Sequence, residues 1–113
     1  MSEFETDFEI ALDNAIIEVH KLAVDNGFWD TGLNTPLGRL MLVVTELGEA
    51  AEAIRKPHMD EHCPEYSNYE IELADAVIRI MDIVGGEDLD LSGAILAKMA
   101  YNKTRPFRHG KTC

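Results

Sequence analysis

Four acidic residues are arranged as two pairs whose spacing suits metal chemistry. Glu46 and Glu49 are three residues apart, and so are Glu72 and Asp75. Residues at this spacing lie on one face of a helix, about 60° apart. Each pair also stands in the same local pattern, E-L-small-acid-A-x-x-x-I, so two consecutive helices are predicted to carry one carboxylate pair each.

The neighbours of the second pair indicate a sheltered site. Four charged residues share an arc of about 80° on the third predicted helix, and most of the remaining surface is apolar. A helix that is apolar on nearly all sides is normally buried, so its charged stripe should face a cleft. Arg79 is expected to pair with Asp75 or Asp82. The four charged residues are Glu72, Asp75, Arg79 and Asp82.

Capping signals and helix breakers predict four helices and no strand, because no segment alternates as a half-buried strand does. Predicted starts are Thr6-Asp7-Phe8-Glu9, Thr35-Pro36, Ser67-Asn68-Tyr69-Glu70, and a point near Asp88 or Asp90. Predicted ends are Gly27, about Lys56 before Pro57, Gly85-Gly86, and Arg105 at the latest.

An antiparallel hairpin of the second and third helices would bring the two pairs together. At the helical rise per residue, Glu49 lies ~9 Å before one helix end and Glu72 ~6 Å after the next helix start. Four gathered carboxylates cannot all stay ionised without cations. All-oxygen ligands favour Mg²⁺ or Mn²⁺, whereas di-iron sites use Glu-x-x-His. A purely structural acidic cluster is the alternative.

Length and composition indicate one domain, residues 1–113, and narrow the partners. The net charge of −11 disfavours nucleic-acid binding, which needs a basic footprint. Because there is no apolar run of ~20 residues and no leader-like start, we expect no membrane partner and a cytoplasmic location. Two cysteines, Cys63 and Cys113, make no disulfide framework.

The combined motifs resemble the MazG-like all-α nucleoside triphosphate pyrophosphatases. The resemblance covers about His20 to Lys111 and rests on four features. They are Glu46-x-x-Glu49 followed after 22 residues by Glu72-x-x-Asp75, the segment Gly27-Phe28-Trp29, the run Glu-Leu-Ala-Asp-Ala-Val-Ile-Arg-Ile-Met-Asp from Glu72 to Asp82, and the tail from Lys98 to Lys111.

This resemblance implies a four-helix MazG-like bundle that cleaves a nucleoside triphosphate between its α- and β-phosphates with Mg²⁺. It implies that the catalytic residues and metal ligands are Glu46, Glu49, Glu72 and Asp75. It also implies a homodimer or homotetramer with sites completed across subunits, and a role in removing non-standard or excess nucleotides. Phosphoribosyl-ATP or dUTP is an alternative substrate. A non-enzymatic acidic helical module for oligomerisation or regulation is the other alternative.

The basic end of the chain is a candidate phosphate-binding element. Lys98, Asn102 and Arg105 fall at i, i+4 and i+7, on one face of the last helix. Lysine and arginine are the expected phosphate partners. A basic C-terminus that only complements the helix dipole is the alternative.

Two aromatic residues are further candidates for contact with the substrate. Trp29, the only tryptophan, is predicted to lie in a loop, where it can stack on a base or anchor a core or an interface. His20 either lines the same pocket or is an ordinary, partly exposed histidine. A zinc site at His58, His62 and Cys63 is disfavoured, because no fourth ligand lies nearby.

The apolar faces predict an oligomer. The third helix is apolar over about three-quarters of its circumference, and the second is apolar on both sides. A chain of this size has too little other material to cover these faces, and exposed apolar area on this scale marks an interface. Closed two-fold symmetry is the commonest solution, so a core completed by a dimer or tetramer is expected.

Overall fold

The structure, a computed structural model, describes residues 1–32 and 34–106. Its helices are α1 (Glu3–Asp25), α2 (Pro36–Arg55), α3 (Asn68–Gly86) and α4 (Leu91–Lys103). The only extended pairing in this part of the chain is an isolated bridge between Met59 and Ser67. The predicted all-α class is therefore confirmed.

The starts of the two central helices follow the predicted capping signals. The Thr35 hydroxyl accepts a hydrogen bond of 3.0 Å from the Gly38 N–H at the start of α2. At the start of α3, the Ser67 hydroxyl accepts from the Glu70 N–H, and the Glu70 carboxylate accepts from the Ser67 N–H. Each bond satisfies a backbone donor that the first turn of a helix would otherwise leave unpaired.

Helix α1 begins earlier than predicted. Its capping box is formed by Ser2 and Glu5 instead of Thr6 and Glu9. The Thr6 N–H donates to the Ser2 carbonyl at 3.0 Å, so Thr6 already lies inside the helix. Both boxes satisfy the same local rule, and the earlier one allows another turn of backbone hydrogen bonds to form.

The helices pack as a hairpin with two flanking helices. Helices α2 and α3 lie against each other, α1 packs on α3, and α4 packs mainly on α1. One core cluster joins α1 to α3 and the other joins α2 to α3. Their buried members are Ile16, Met81 and Val84 in the first, and Val43, Ala76 and Ile83 in the second.

Much of the apolar surface of the hairpin stays exposed within one chain. Val44 of α2 is 52% exposed, and Val77 of α3 is 54% exposed. The expected burial of α3 on nearly all sides is thus not reached by a single copy. Within the described residues, none of the helices has the length and the low charge that a membrane span needs.

Candidate metal centre and adjoining cavity

The hairpin brings three of the four predicted carboxylates together. Glu46 from α2 and Glu72 and Asp75 from α3 each offer one oxygen, and these oxygens lie within 4.8 Å of one another. We call these three residues the carboxylate group. Glu49 is exposed and stands outside the group, although its carboxyl contributes to the raised pKa of Glu72.

Glu46 is the most buried member of the carboxylate group, with 8% of its surface exposed. Its Oε1 accepts a hydrogen bond of 2.9 Å from the Arg79 guanidinium. The predicted pairing of Arg79 with Asp75 or Asp82 was therefore wrong about the hydrogen-bond partner. Arg79 reaches across the hairpin to α2, a contact that spacing along α3 does not reveal.

Glu72 combines a hydrogen-bonded oxygen with an unpartnered one. Its Oε1 accepts from the Asn68 amide at 3.3 Å, while its Oε2 is buried and has no hydrogen-bond partner among the described residues. The pKa of Glu72 is raised to about 7, mainly by burial and then by the nearby Glu49 and Glu46 carboxyls, while the bond from Asn68 opposes the rise. Both effects disfavour the charged form of Glu72.

Asp75 shows the same trend. Burial raises the pKa of Asp75, the negative charge of Glu46 adds to that rise, and the positive charge of Arg79 opposes it. Three close carboxylates with an unpartnered buried oxygen fit a hard divalent cation, because its charge would offset their repulsion. The oxygen-only donor set fits Mg²⁺ or Mn²⁺ better than a softer metal.

A cavity of about 790 Å³ adjoins the carboxylate group. Its polar wall includes Glu46, Asp75 and Arg79. A cavity of this volume with mostly apolar walls and a few polar groups is typical of small-molecule sites. Its apolar wall comes from α1, the loop after it, α2 and α3, and includes Val19, Leu22, Phe28, Leu42, Ile78 and Ile83.

Asp82, which also lines this cavity, is the centre of a hydrogen-bond network. Its Oδ1 lies 2.8 Å from the His20 Nδ1, and its two oxygens accept from the Trp29 indole N–H at 3.0 and 3.2 Å. The His20 and Trp29 rings meet edge to face, with centroids 5.1 Å apart. His20 and Trp29 thus hold Asp82 in place from outside the cavity.

Trp29 is placed as an anchor of the fold. A Cβ atom added at Gly86 would lie only 2.2 Å from the indole, so glycine is needed for this close approach. The Arg39 guanidinium also packs over the Trp29 ring, with its central carbon 4.4 Å from the ring centroid. The aromatic ring that lines the cavity is instead Phe28, which is 53% exposed. Base stacking by Trp29 and substrate contact by His20 stay predictions.

Arg39 fixes the loop that forms one wall of the cavity. Its guanidinium donates to the Glu87 carboxylate at 2.9 Å and to the Asn34 carbonyl at 2.9 Å. Asn34 in turn donates from its side chain to the Phe28 carbonyl. The sequence pattern did not mark Arg39, whose partners Asn34 and Glu87 lie outside its own helix, or Asn34, which bonds to Phe28 within the loop and to Arg39 of α2. The charged stripe of α3 did predict Asp82, and it was the available signal for that residue.

The predicted phosphate-binding residues are not among those that line the cavity. Lys98 lies over the Tyr101 ring at 4.6 Å, and Arg105 lies over the same ring at 5.7 Å. The Asn102 side-chain oxygen is buried and unpartnered within the part of the chain that the structure describes. The tail after residue 106, which contains the basic residues Arg108 and Lys111, lies outside the described residues.

A smaller depression of about 340 Å³ opens on the other side of Glu72. Glu49, Lys56 and His58 lie along it. The carboxylate group therefore stands between two concave surfaces of different size. Over residues 1–32 and 34–106, the carboxylate group is the only cluster of three or more histidine, cysteine or acidic side chains that is close enough to share a metal ion. His58, His62 and Cys63 do not form such a cluster.

Comparisons with protein-family models, curated proteins and solved structures returned no significant match. The likeness to MazG-like enzymes therefore stays a prediction from sequence motifs.

Proposed function

We propose that this protein is a Mg²⁺-dependent nucleoside triphosphate pyrophosphohydrolase, with Mn²⁺ as a possible substitute. It would convert a ribo- or deoxyribonucleoside triphosphate and water into the monophosphate and pyrophosphate. A cytoplasmic house-cleaning role in nucleotide metabolism would follow from that chemistry. The fold in this proposal is a MazG-like four-helix bundle whose core is completed by a second copy.

The observation that carries the proposal is the position of the carboxylate group beside the large cavity. Glu46 and Asp75 line the polar wall, so a cation held there would face any ligand in the cavity. A nucleoside triphosphate has an aromatic base, with apolar faces and polar edges, at one end and a polyanionic chain at the other. The cavity offers matching surfaces, with Phe28 and aliphatic side chains on one part and the candidate cation ligands on another.

The reaction breaks one phosphoanhydride bond. The oxygen of water adds to one phosphorus atom of the α–β anhydride, and the bridging oxygen leaves with the other phosphorus. When bound, Mg²⁺ supplies positive charge that offsets the negative charge of the phosphates and helps to activate the water. Glu46, Glu72 and Asp75 would hold the cation, with Glu49 beside them. Arg79 would keep Glu46 in place through its hydrogen bond.

A homodimer or homotetramer belongs to the same proposal. The exposed apolar residues of α2 and α3 supply a surface that a second copy could cover. A second copy could also bring Lys98, Asn102 and Arg105 to the phosphates, since none of them lines the cavity of its own chain. The net charge of −11 makes such a cationic contribution useful for an anionic substrate.

The direct test is to incubate purified protein with Mg²⁺ and a panel of nucleotides and to measure pyrophosphate release. The panel should contain the common ribo- and deoxyribonucleoside triphosphates, dUTP and phosphoribosyl-ATP. Release from several triphosphates supports the proposal, whereas activity confined to dUTP or phosphoribosyl-ATP favours the corresponding alternative. No release from any of them, by a protein that is folded and oligomeric, would favour a non-enzymatic helical module.

A further inference from the structure

The loop between α2 and α3 is folded around one buried acid, Asp60, which is 7% exposed. Its Oδ2 accepts hydrogen bonds from the backbone N–H groups of His62 at 3.0 Å and Cys63 at 2.9 Å. These bonds outweigh burial and hold the pKa of Asp60 below its usual value. Asp60 is therefore an ionised acceptor in a fixed position.

The remaining oxygen of Asp60 accepts from Asn68, the first residue of α3. The Asn68 Nδ2 lies 3.0 Å from the Asp60 Oδ1 and 3.3 Å from the Glu72 Oε1. An amide NH₂ has two hydrogens, so one Asn68 side chain can donate to both carboxylates. The Asn68 backbone N–H separately donates to the His58 carbonyl at 2.8 Å, which ties the helix start to the loop.

We infer that Asn68, oriented by Asp60, is a positioning residue that sets the direction of the Glu72 carboxylate in the cation site. This inference rests on the proposed function. The bond from Asn68 occupies Glu72 Oε1 and leaves Oε2, the buried oxygen without a partner, available to a cation. Because the two oxygens of an ionised carboxylate are equivalent, the bond from Asn68 fixes the plane of the group, and with it the direction of the second oxygen.

The role of Asn68 is separate from the capping of α3. The capping bonds are made by Ser67 and Glu70, so Asn68 is not needed to satisfy them. Hydrogen-bond partners of metal ligands commonly control affinity, and their loss lowers metal affinity or activity by about 10- to 100-fold. Asn68 is four residues before Glu72, a spacing that allows direct contact on one helix face.

The test measures Mn²⁺ affinity of the full chain without nucleotide, by electron paramagnetic resonance of free Mn²⁺ or by calorimetry. Asn68→Ala and Asn68→Ser should each raise the Mn²⁺ dissociation constant by about 10- to 100-fold. Serine is well tolerated near a helix start, so the second variant should keep α3 intact while being too short to reach both acids. Glu70→Ala is the matched control, because it weakens the cap of the same helix without removing a bond to Glu72.

Three results would count against this inference. A dissociation constant for Asn68→Ala within about threefold of the wild-type value would overturn it alone, since the expected loss is at least tenfold. An equal loss in Glu70→Ala would also overturn it, because the effect would then come from the helix start in general. A wild-type protein that binds no Mn²⁺ would overturn both this inference and the proposed function.

Discussion

The α2–α3 hairpin and the region of helix α4 carry the two sets of residues that the sequence predicts for phosphate chemistry. The fold gathers the first set beside the cavity but not the second. The hairpin brings one oxygen each of Glu46, Glu72 and Asp75 to within 4.8 Å of one another, close enough to share a cation. Lys98 of α4 and Arg105, which follows the end of α4, lie over the Tyr101 ring and do not line the cavity.

The direction of α4 explains the difference. The Ser92 hydroxyl, at the start of α4, donates to the Asp13 carboxylate at 2.8 Å. The pKa of Glu5 is lowered mainly by its hydrogen bonds with Ser2, and the charge of Lys103, at the other end of α4, adds to this lowering. Helix α4 therefore runs antiparallel to the first half of α1, whereas the cavity lies along the second half, at Val19 and Leu22. Within the described residues of one copy, Lys98, Asn102 and Arg105 do not line the cavity, so their contact with a bound phosphate depends on the second copy in the proposed function.

The largest effect is expected at the carboxylate group itself. Asp75→Asn should lower turnover by about 100-fold or more, because a bound metal contributes several kcal/mol to such reactions. The fold should survive, since the substitution removes a charge that its neighbours repel. Pyrophosphate release at saturating Mg²⁺ is the measurement, and Glu65→Gln, at an exposed loop position, is the control. Full activity of Asp75→Asn would contradict the site.

A subunit-mixing experiment tests whether the hairpin and α4 meet across copies. Arg105→Ala should lower activity by about tenfold, the cost of one charge-assisted hydrogen bond to phosphate. If Arg105 serves the neighbouring site, then unfolding and refolding equal amounts of Asp75→Asn and Arg105→Ala together should restore about a quarter of the wild-type activity, because about half of the dimers are then mixed. Each mixed dimer would hold one site with both intact residues. Activity no greater than the sum of the two separate variants would show that the two regions act independently.

The exposed apolar face of the hairpin should be needed for assembly. Val44→Asp and Val77→Asp each place a charge on this face and should shift the protein from a dimer or tetramer to a less stable monomer. Sedimentation velocity at micromolar concentration measures the change, and Asn14→Asp, at an exposed position of α1, is the control. A wild-type protein that sediments as a well-folded monomer would contradict the interface.

The smallest effect is a pH dependence of stability in the absence of divalent cations. The pKa of Glu72 is raised from 4.5 to about 7 in the folded chain, so the folded form binds more protons than the unfolded form between these values. Stability from this group is complete below pH 4.5 and is lost as the pH rises through 7. The raised pKa of Asp75 acts in the same direction.

We therefore expect the melting temperature of the metal-free protein to fall by several degrees between pH 5.5 and 7.5. Glu72→Gln should flatten this dependence, because glutamine resembles the protonated acid. Mg²⁺ should raise the melting temperature of the wild type most at the higher pH, where it binds the ionised carboxylates. A melting temperature that Mg²⁺ leaves unchanged at pH 7.5 would argue against a cation site in the carboxylate group.

Local sequence signals predicted a helix start correctly where only one capping motif was present. Pro36 and the capping residues around it placed the start of α2, and Ser67 with Glu70 placed the start of α3. At the N-terminus, two capping boxes competed, and the sequence rule did not rank Ser2 with Glu5 above Thr6 with Glu9. The extra turn of α1 is a cooperative property of the whole helix.

By itself, the sequence determined an all-helical chain with a carboxylate pair on each of two consecutive helices. These features depend on helical periodicity, caps and breakers, which act over a few residues. Only the tertiary structure decided that Glu46, Glu72 and Asp75 converge while Glu49 stays exposed, and that Arg79 bonds across the hairpin. It also decided that Trp29 packs on Gly86. Such contacts join residues far apart in the chain, so they depend on how whole helices approach one another.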